Sequence, residues 1–287
     1  MRSPSATPIF PPDRVTIVGV VNATPDSFSD GGHFVDATGA VDVSAAVAAA
    51  RALRAVGAHV IDVGGESTRP GAQDVPEALE IARTRPLIEA LAKVLDVPLS
   101  IDTRKAAVAE AALDAGARVV NDVSGLRHDP ALAALAARAG ATLVLGHLRG
   151  APATMQREVA FADVLLEVGD ELAAALARAR AAGFDGELVA DPGIGFGKRL
   201  PHNLTLLANA GALRARLGVP LLVGPSRKSF LGELTGDPVG RRDLASAVAS
   251  AIAVFAGADA VRVHDVEGAR RAVAIAKALR DARSGGP

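Results

Sequence analysis

Eight short apolar runs punctuate this chain. Each hands over, within a residue or two, to a polar or charged side chain followed by Gly, Pro, Ser or Thr. They are VTIVGVV before Asn22, HVIDV before the GGESTRPG stretch, VPLSI before Asp102, RVV before Asn121, TLVLG before His147, ELVA before Asp191, VPLLVG before Ser226, Arg227 and Lys228, and AVRV before His264. The runs are continuous rather than alternating, the signature of strands buried on both faces of a parallel sheet. Between them lie alanine-rich segments with helical start and stop signals. Asp129 is expected as an N-cap with Pro130 as the first helical residue, and Gly140 as the stop. Similar segments run from Thr103 to Gly116 and from Asp243 to Gly257. Strand and helix therefore alternate about eight times, and closure into an α/β (β/α)8 barrel is the economical solution. In that architecture the chemistry sits on the rim at the C-terminal strand ends, where these polar residues fall.

Composition narrows the function classes. A chain of 287 residues, 49% of them hydrophobic, can bury one large core and is expected as a single barrel domain over 15–280. Residues 1–14 are expected to be a flexible N-terminal segment and 281–287 a flexible tail. The formal net charge of -1 advertises no nucleic-acid or membrane surface, and the absence of cysteine excludes disulfides and thiolate chemistry. MRSPSATPIFPPDR carries no apolar signal-peptide core, and no stretch reaches the roughly 20 apolar residues of a membrane helix. A cytoplasmic location is expected.

Two connections are unlike helix. NATPDSFSDGGHFVD at 22–36 and GGESTRPGAQDVP at 64–76 follow the first two strands and read as lids or substrate clamps. The segments NATPDSFSDGG, GGESTRPGA, SIDTRKAAVA, VNDVSG, HLRGAPATMQ, DPGIGFGK, GPSRKSFLG and VRVHDV, in this order and spacing, closely resemble the signatures of the dihydropteroate synthase family. The resemblance covers essentially all of residues 15–266. It implies an alkyl-transferring enzyme of folate biosynthesis that joins 6-hydroxymethyl-7,8-dihydropterin pyrophosphate to p-aminobenzoate. It also implies a Mg2+ cofactor, a homodimer and a sulfonamide target.

The pterin head is a flat ring with a guanidine-like edge that needs acceptors and a carbonyl edge that needs donors. By resemblance Asp102, Asn121 and Asp191 form its pocket, with Lys228 donating to the carbonyl side and Phe196 as an apolar wall. The competing reading is that Asp102 and Asp191 merely cap the next helix or turn. Arg262 and His264 leave the last strand on alternate residues and hence on one face. By resemblance they hold the diphosphate with Asn22 and Arg69, and Asn22 also reaches the Mg2+. Asp102, Asp191, Lys228, Arg262 and His264 are the expected catalytic set: carboxylates opposing positive charge that develops on the ring, cations taking the negative charge of the leaving diphosphate.

The aminobenzoate site is expected from Thr24, Pro25 and Phe28 in the first loop and Ser67, Thr68, Arg69 and Pro70 in the second. Ser229 at a helix start is expected near the carboxylate. Both loops are expected to order only with diphosphate bound. GIGFGK lacks the spacing of a dinucleotide or phosphate loop, so its glycines are read as allowing close backbone approach to the flat substrate. GRRDLASAVASAIAV is read as an amphipathic helix packing on the barrel or a second subunit. Gly146 and Leu148 flank His147 where the family commonly has Met, which suggests looser packing against the ring. His147 is assigned either a hydrogen-bonding role on the rim or a substrate contact. A non-catalytic pterin-binding paralogue and a folate-dependent methyltransferase of the same architecture are the alternatives. The first lacks a reason for the complete residue set, the second for the Arg262/His264 pair.

Overall fold

The apolar runs pair edge to edge in sequence order. The computed structural model describes residues 7–24, 34–35, 41–68, 71–283 and 285. Its strands are β1 Thr16–Asn22, β2 Val60–Gly64, β3 Leu99–Asp102, β4 Val119–Asp122, β5 Thr142–Gly146, β6 Leu188–Asp191, β7 Leu222–Val223 and β8 Ala260–Val263. All are parallel, in the order β6-β5-β4-β3-β2-β1-β8-β7. A parallel bridge from Ala190 to Leu221 brings the two ends together and closes the expected barrel.

The helices are α1 Val43–Ala55, α2 Glu77–Ala92, α3 Ala106–Asp114, α4 Ala131–Ala139, α5 Val164–Ala181, α6 Leu200–Ala208, α7 Ala210–Leu217, α8 Ser229–Thr235, α9 Asp243–Phe255 and α10 Val266–Arg283. Asp42 caps α1 and Asp163 caps α5 through their carboxylates. Asp129 serves two helices: Oδ1 accepts from Ala131 N at 3.0 Å and Oδ2 from Ala106 N at 2.8 Å. Pro130 consequently sits just before α4 rather than inside it. The segment expected from Thr103 begins its helix only at Ala106, because Arg104 and Lys105 turn toward the buried carboxylates of Glu66 in the neighbouring loop and Glu80 in α2.

Successive residues of a strand face opposite sides of the sheet. One set, including Ile61, Val63, Ile101, Val120, Leu143, Leu145, Val261 and Val263, packs outward in the large core under the helices. The other set fills the barrel: Val18, Val60, Val119, Val144, Val189, Leu222 and Ala260 cluster with Phe10. The structure places Ile9 and Phe10, part of the segment expected to be loose, against this floor. Their backbone N–H groups donate to the Glu187 carboxylate at 3.0 Å each.

Two residues further along the same strands, the interior changes character. Val60 is followed on its face by Asp62, Val119 by Asn121, Val189 by Asp191 and Ala260 by Arg262, each one layer nearer the C-terminal end. The barrel thus has an apolar floor and a charged mouth.

Candidate active site

Asp62, Asp102 and Arg262 meet inside the mouth from β2, β3 and β8. Arg262 Nε donates to Asp62 Oδ2 at 2.6 Å, and Nη2 to Asp102 Oδ2 at 2.8 Å. Burial works against the guanidinium charge, but the two carboxylates outweigh it and hold the proton on more firmly. Burial pushes the Asp102 carboxyl up to about 7; Arg262 opposes that push, while Asp62, Glu80 and Asp191 reinforce it. The capping explanation of Asp102 does not hold, since α3 begins at Ala106, whose N–H donates to Asp129 instead. Asp102 Oδ1, Asp62 Oδ1 and Asn121 Oδ1 are buried acceptors with no partner among the described residues. Leaving such atoms unpaired typically costs about 1–3 kcal/mol each. Three of them in one mouth make a site built for donors that arrive from outside.

Asp191 lies at the end of β6 and accepts from Gly193 N at 2.7 Å, so it does bend its own turn. Burial raises its carboxyl pKa against the opposing charge of Lys228. Lys228, entering from the turn after β7, donates its ammonium to the Ile194 carbonyl, and Nζ stands 4.0 Å above the centre of the Phe196 ring. Burial lowers this lysine to about 8. Asp102, Asn121, Asp191, Lys228 and Phe196 therefore stand around one mouth.

His264 leaves the end of β8. Its Nδ1 is 2.9 Å from Ser226 Oγ, and its backbone N–H donates to the same oxygen at 3.2 Å, which fixes the ring. Asn22 ends β1 beside Gly64. Arg227 instead braces the turn, its guanidinium donating to Asp243 at 2.7 and 3.0 Å. Among the described residues no group of three His, Asp or Glu side chains is arranged to hold a metal ion. One amide oxygen at Asn22 fits a Mg2+ ligated chiefly by water and substrate phosphate oxygens, and does not fit a protein-caged ion.

Thr24 is buried, Ser67 and Thr68 are half-buried and Ser229 is exposed at the start of α8. Pro25, Phe28, Arg69 and Pro70 lie outside the described residues, as does most of the first loop, so its expected ordering does too. The base of the second loop is held by an ion network that the sequence reading did not anticipate. Arg104 pairs with Glu66 and, at 2.9 Å, with Asp74; Lys105 pairs with Glu66, with Glu80 at 2.6 Å and with the Val75 carbonyl at 2.6 Å. Its sequence signal was the facing of GGES after β2 and DTRK after β3, with opposite charges on adjacent strands. At the far end of the loop, Gly71 N donates to the Pro152 carbonyl at 3.1 Å, crossing to the connection after β5.

Two expectations about small residues need correction. Gly146 leaves no slack: a Cβ there would lie 2.6 Å from Val123 Cα, so neighbouring backbone occupies the space. Gly193, at φ +65°, would drive a Cβ into the His147 carbonyl. That glycine serves contact between two segments of the protein rather than approach to a substrate. His147 itself is buried, with Nδ1 2.9 Å from Lys198 Nζ and Nε2 3.3 Å from Glu171 Oε2. Asp62 and Lys198, both absent from the expected set, complete the charges around the mouth. A cavity of about 420 Å³ lies to one side, lined in part by Arg149, Met155, Phe161 and Gly197.

Residues 18–264 match the family model described as pterin binding enzyme. The chain is 44% identical over 268 residues to the dihydropteroate synthase of Synechocystis sp., covering 93% of this chain and 90% of that protein. The dihydropteroate synthase of Yersinia pestis, solved in a sulfonamide drug complex, superposes with a TM-score of 0.87 at 40% identity, over 94% of this chain and 95% of that one. The Thermus thermophilus dihydropteroate synthase in complex with 4-aminobenzoate gives a TM-score of 0.81 at 42% identity, over 93% of this chain and 95% of that one.

Proposed function

The chain belongs to the pterin-binding enzyme family of dihydropteroate synthases, and from that premise we propose how its barrel mouth carries out the transfer. The enzyme condenses 6-hydroxymethyl-7,8-dihydropterin pyrophosphate with p-aminobenzoate to give 7,8-dihydropteroate and pyrophosphate. The observation that carries the site assignment is the set of buried, unpartnered acceptors on Asp102, Asn121 and Asp62, facing a mouth that also holds Asp191 and Lys228. A ring edge rich in N–H groups supplies the missing donors, while Lys228 meets its carbonyl side and Phe196 its face. A pocket paired in this way rejects ligands that lack the edge, because they would leave its polar groups unsatisfied.

In the reaction the C–O bond between the pterin methylene and the diphosphate breaks, and its electron pair leaves on the diphosphate oxygen. The methylene cation that remains is delocalised into the electron-rich ring. Asp102 and Asp191 stabilise that charge from fixed, buried positions, so no reorganisation is needed when it develops. Arg262, Arg69, Asn22 and His264, the last oriented by Ser226, receive the diphosphate. A Mg2+ ion bound with it would supply further charge neutralisation. The aminobenzoate nitrogen then attacks with its lone pair and loses a proton to water, which requires neither a strong base nor a covalent enzyme intermediate.

Thr24, Pro25, Phe28, Ser67, Thr68, Arg69, Pro70 and Ser229 form the aminobenzoate side, where a sulfonamide would compete. The structures of the Thermus relative with 4-aminobenzoate and the Yersinia relative with a sulfonamide drug support this reading. Two copies associate through α9 and α10. Leu244, Val248 and Ile252 form a stripe at helical spacing, with Ile275 and Leu279 beside it, and Leu244 is 78% exposed. No helix among the described residues is long and apolar enough to cross a membrane. A cytoplasmic location is part of the proposal.

The test is to mix the purified protein with both substrates and Mg2+ and follow dihydropteroate and pyrophosphate together, with Asp102→Ala as control. Metal-dependent release of both products in equal amounts, lost in the control, is the expected result. Pterin binding without turnover would move the assignment to a non-catalytic pterin-binding paralogue.

A further inference from the structure

Lys198 is a buried lysine that the proposed chemistry does not use. Only 4% of it is exposed, and its ammonium has two acceptors, His147 Nδ1 at 2.9 Å and the Phe196 carbonyl at 3.0 Å. A methionine would fill the same space without the cost of burying a charge. What the amine adds is a tie between the end of β5 and the turn after β6.

That turn carries much of the mouth. Gly193 N is bonded to Asp191, the Ile194 carbonyl accepts from Lys228, and the Phe196 ring lies under the Lys228 ammonium. The outer side of the turn is held at Gly195, whose N–H donates to Asn203 at 2.7 Å and whose carbonyl accepts from Gln156 at 2.9 Å. Lys198 is the inner tie. Its partner has an anion beside it: His147 Nε2 lies 3.3 Å from Glu171 Oε2 without a well-aligned hydrogen bond, and Glu171 is itself paired with Arg149 and Arg127. With Glu171 ionised, the neutral ring places N–H on Nε2 and leaves the Nδ1 lone pair for Lys198, a tautomer assigned from these partners. Burial lowers His147 to about 4 and Lys198 to about 7, while Asp191 favours the charged lysine.

We propose that Lys198, oriented by His147, is a positioning residue of the pterin subsite, locking the Gly193–Gly197 turn so that Phe196 and the Ile194 carbonyl stand against Lys228. The inference rests on the pterin reading above and concerns the ring's affinity rather than the transfer step.

The experiment is calorimetric titration of 6-hydroxymethylpterin into wild type, Lys198→Met, His147→Leu and the double variant, with steady-state kinetics alongside. Loss of one charge-assisted hydrogen bond predicts a roughly tenfold weaker pterin Kd in each single variant. The KM for the pterin substrate should rise in parallel, with kcat and the KM for p-aminobenzoate unchanged. The double variant should bind no worse than either single one, because one tie is lost in all three. An unchanged pterin Kd, additive losses, or a uniform fall in kcat and both KM values with a lowered Tm would overturn the proposal. Should the variants fail to fold, the His147 ring ¹⁵N resonances of the wild type provide the readout. They should move when the pterin binds, and their indifference would overturn the proposal. Calorimetry reads the tie whether or not the wild type makes dihydropteroate, so failure here and failure of the proposed activity are separable.

Discussion

The floor and the mouth of this barrel are built by the same strands, two residues apart, and differ in almost every physical respect. Val60, Val119, Val189 and Ala260 on the floor are apolar and pack on Phe10. Asp62, Asn121, Asp191 and Arg262 on the same strand faces are polar, buried or half-buried, and in part unpaired. Apolar burial of this kind stabilises the fold by about 25 cal/mol per Å2, whereas each unpaired buried acceptor subtracts from it. The alternation of a strand fixes which residues look inward; it does not say whether they serve stability or chemistry. Position along the strand decides that, because only the C-terminal ends open to the loops.

The comparison is broken most severely at Arg262, which belongs to both accounts. Arg262→Met leaves Asp62 and Asp102 buried together without their cation, so a loss of about 3–5 kcal/mol in urea unfolding is expected, together with loss of turnover. A variant as stable as the wild type would show that this pair is not a structural ion pair.

Asp102→Asn should separate the two roles. Turnover is expected to fall by roughly 10²- to 10³-fold, the scale of a lost electrostatic contact to a transition state. Stability should move the other way. The Asp102 pKa is raised from 3.8 to about 7, so the folded protein holds a proton that the unfolded chain releases between these values. Stability from this group is therefore full below 3.8 and is lost as pH rises through about 7. The variant lacks that loss, and its Tm relative to wild type should climb as pH goes from about 4 to about 7 and level off above that. A flat difference would remove the claim that Asp102 is a strained group.

On the floor, Phe10→Ala should cost about 3 kcal/mol of stability by leaving a cavity at the base of the barrel. The KM values and kcat at a temperature where the variant stays folded should match the wild type. A kinetic defect would mean that the floor communicates with the mouth. The smallest effect is a fraction of a proton. If the ring edge binds the ionised Asp102, pterin binding below pH about 7 releases a proton and above it releases none, which calorimetry in two buffers of different ionisation enthalpy reads directly.

Much of this was legible in the sequence because strand ends were marked by abrupt changes of residue type. All eight runs became strands, and Asp102, Asn121, Asp191, Lys228, Arg262 and His264 fall at their ends or in the turns after them. Asp62 was missed because it sits inside an apolar run, HVIDV, where a single carboxylate looks like an interruption. Its meaning appears only when β8 brings Arg262 within 2.6 Å, from 200 residues away. Lys198 was visible in GIGFGK, but the partner that explains it, His147, follows a different strand, β5. Gly146 misled because a missing side chain reads as space, whereas the Val123 backbone occupies it. Local patterns name the residues at the rim; contacts between strands decide what each of them faces.

The most direct test is a crystal structure of this protein with 6-hydroxymethylpterin. The account predicts the ring in the barrel mouth, its N–H edge on Asp102 Oδ1 and Asn121 Oδ1, its carbonyl side at Lys228 and its face along Phe196. A ring bound elsewhere, such as in the cavity beside Arg149 and Phe161, with those acceptors still unpaired, would contradict it.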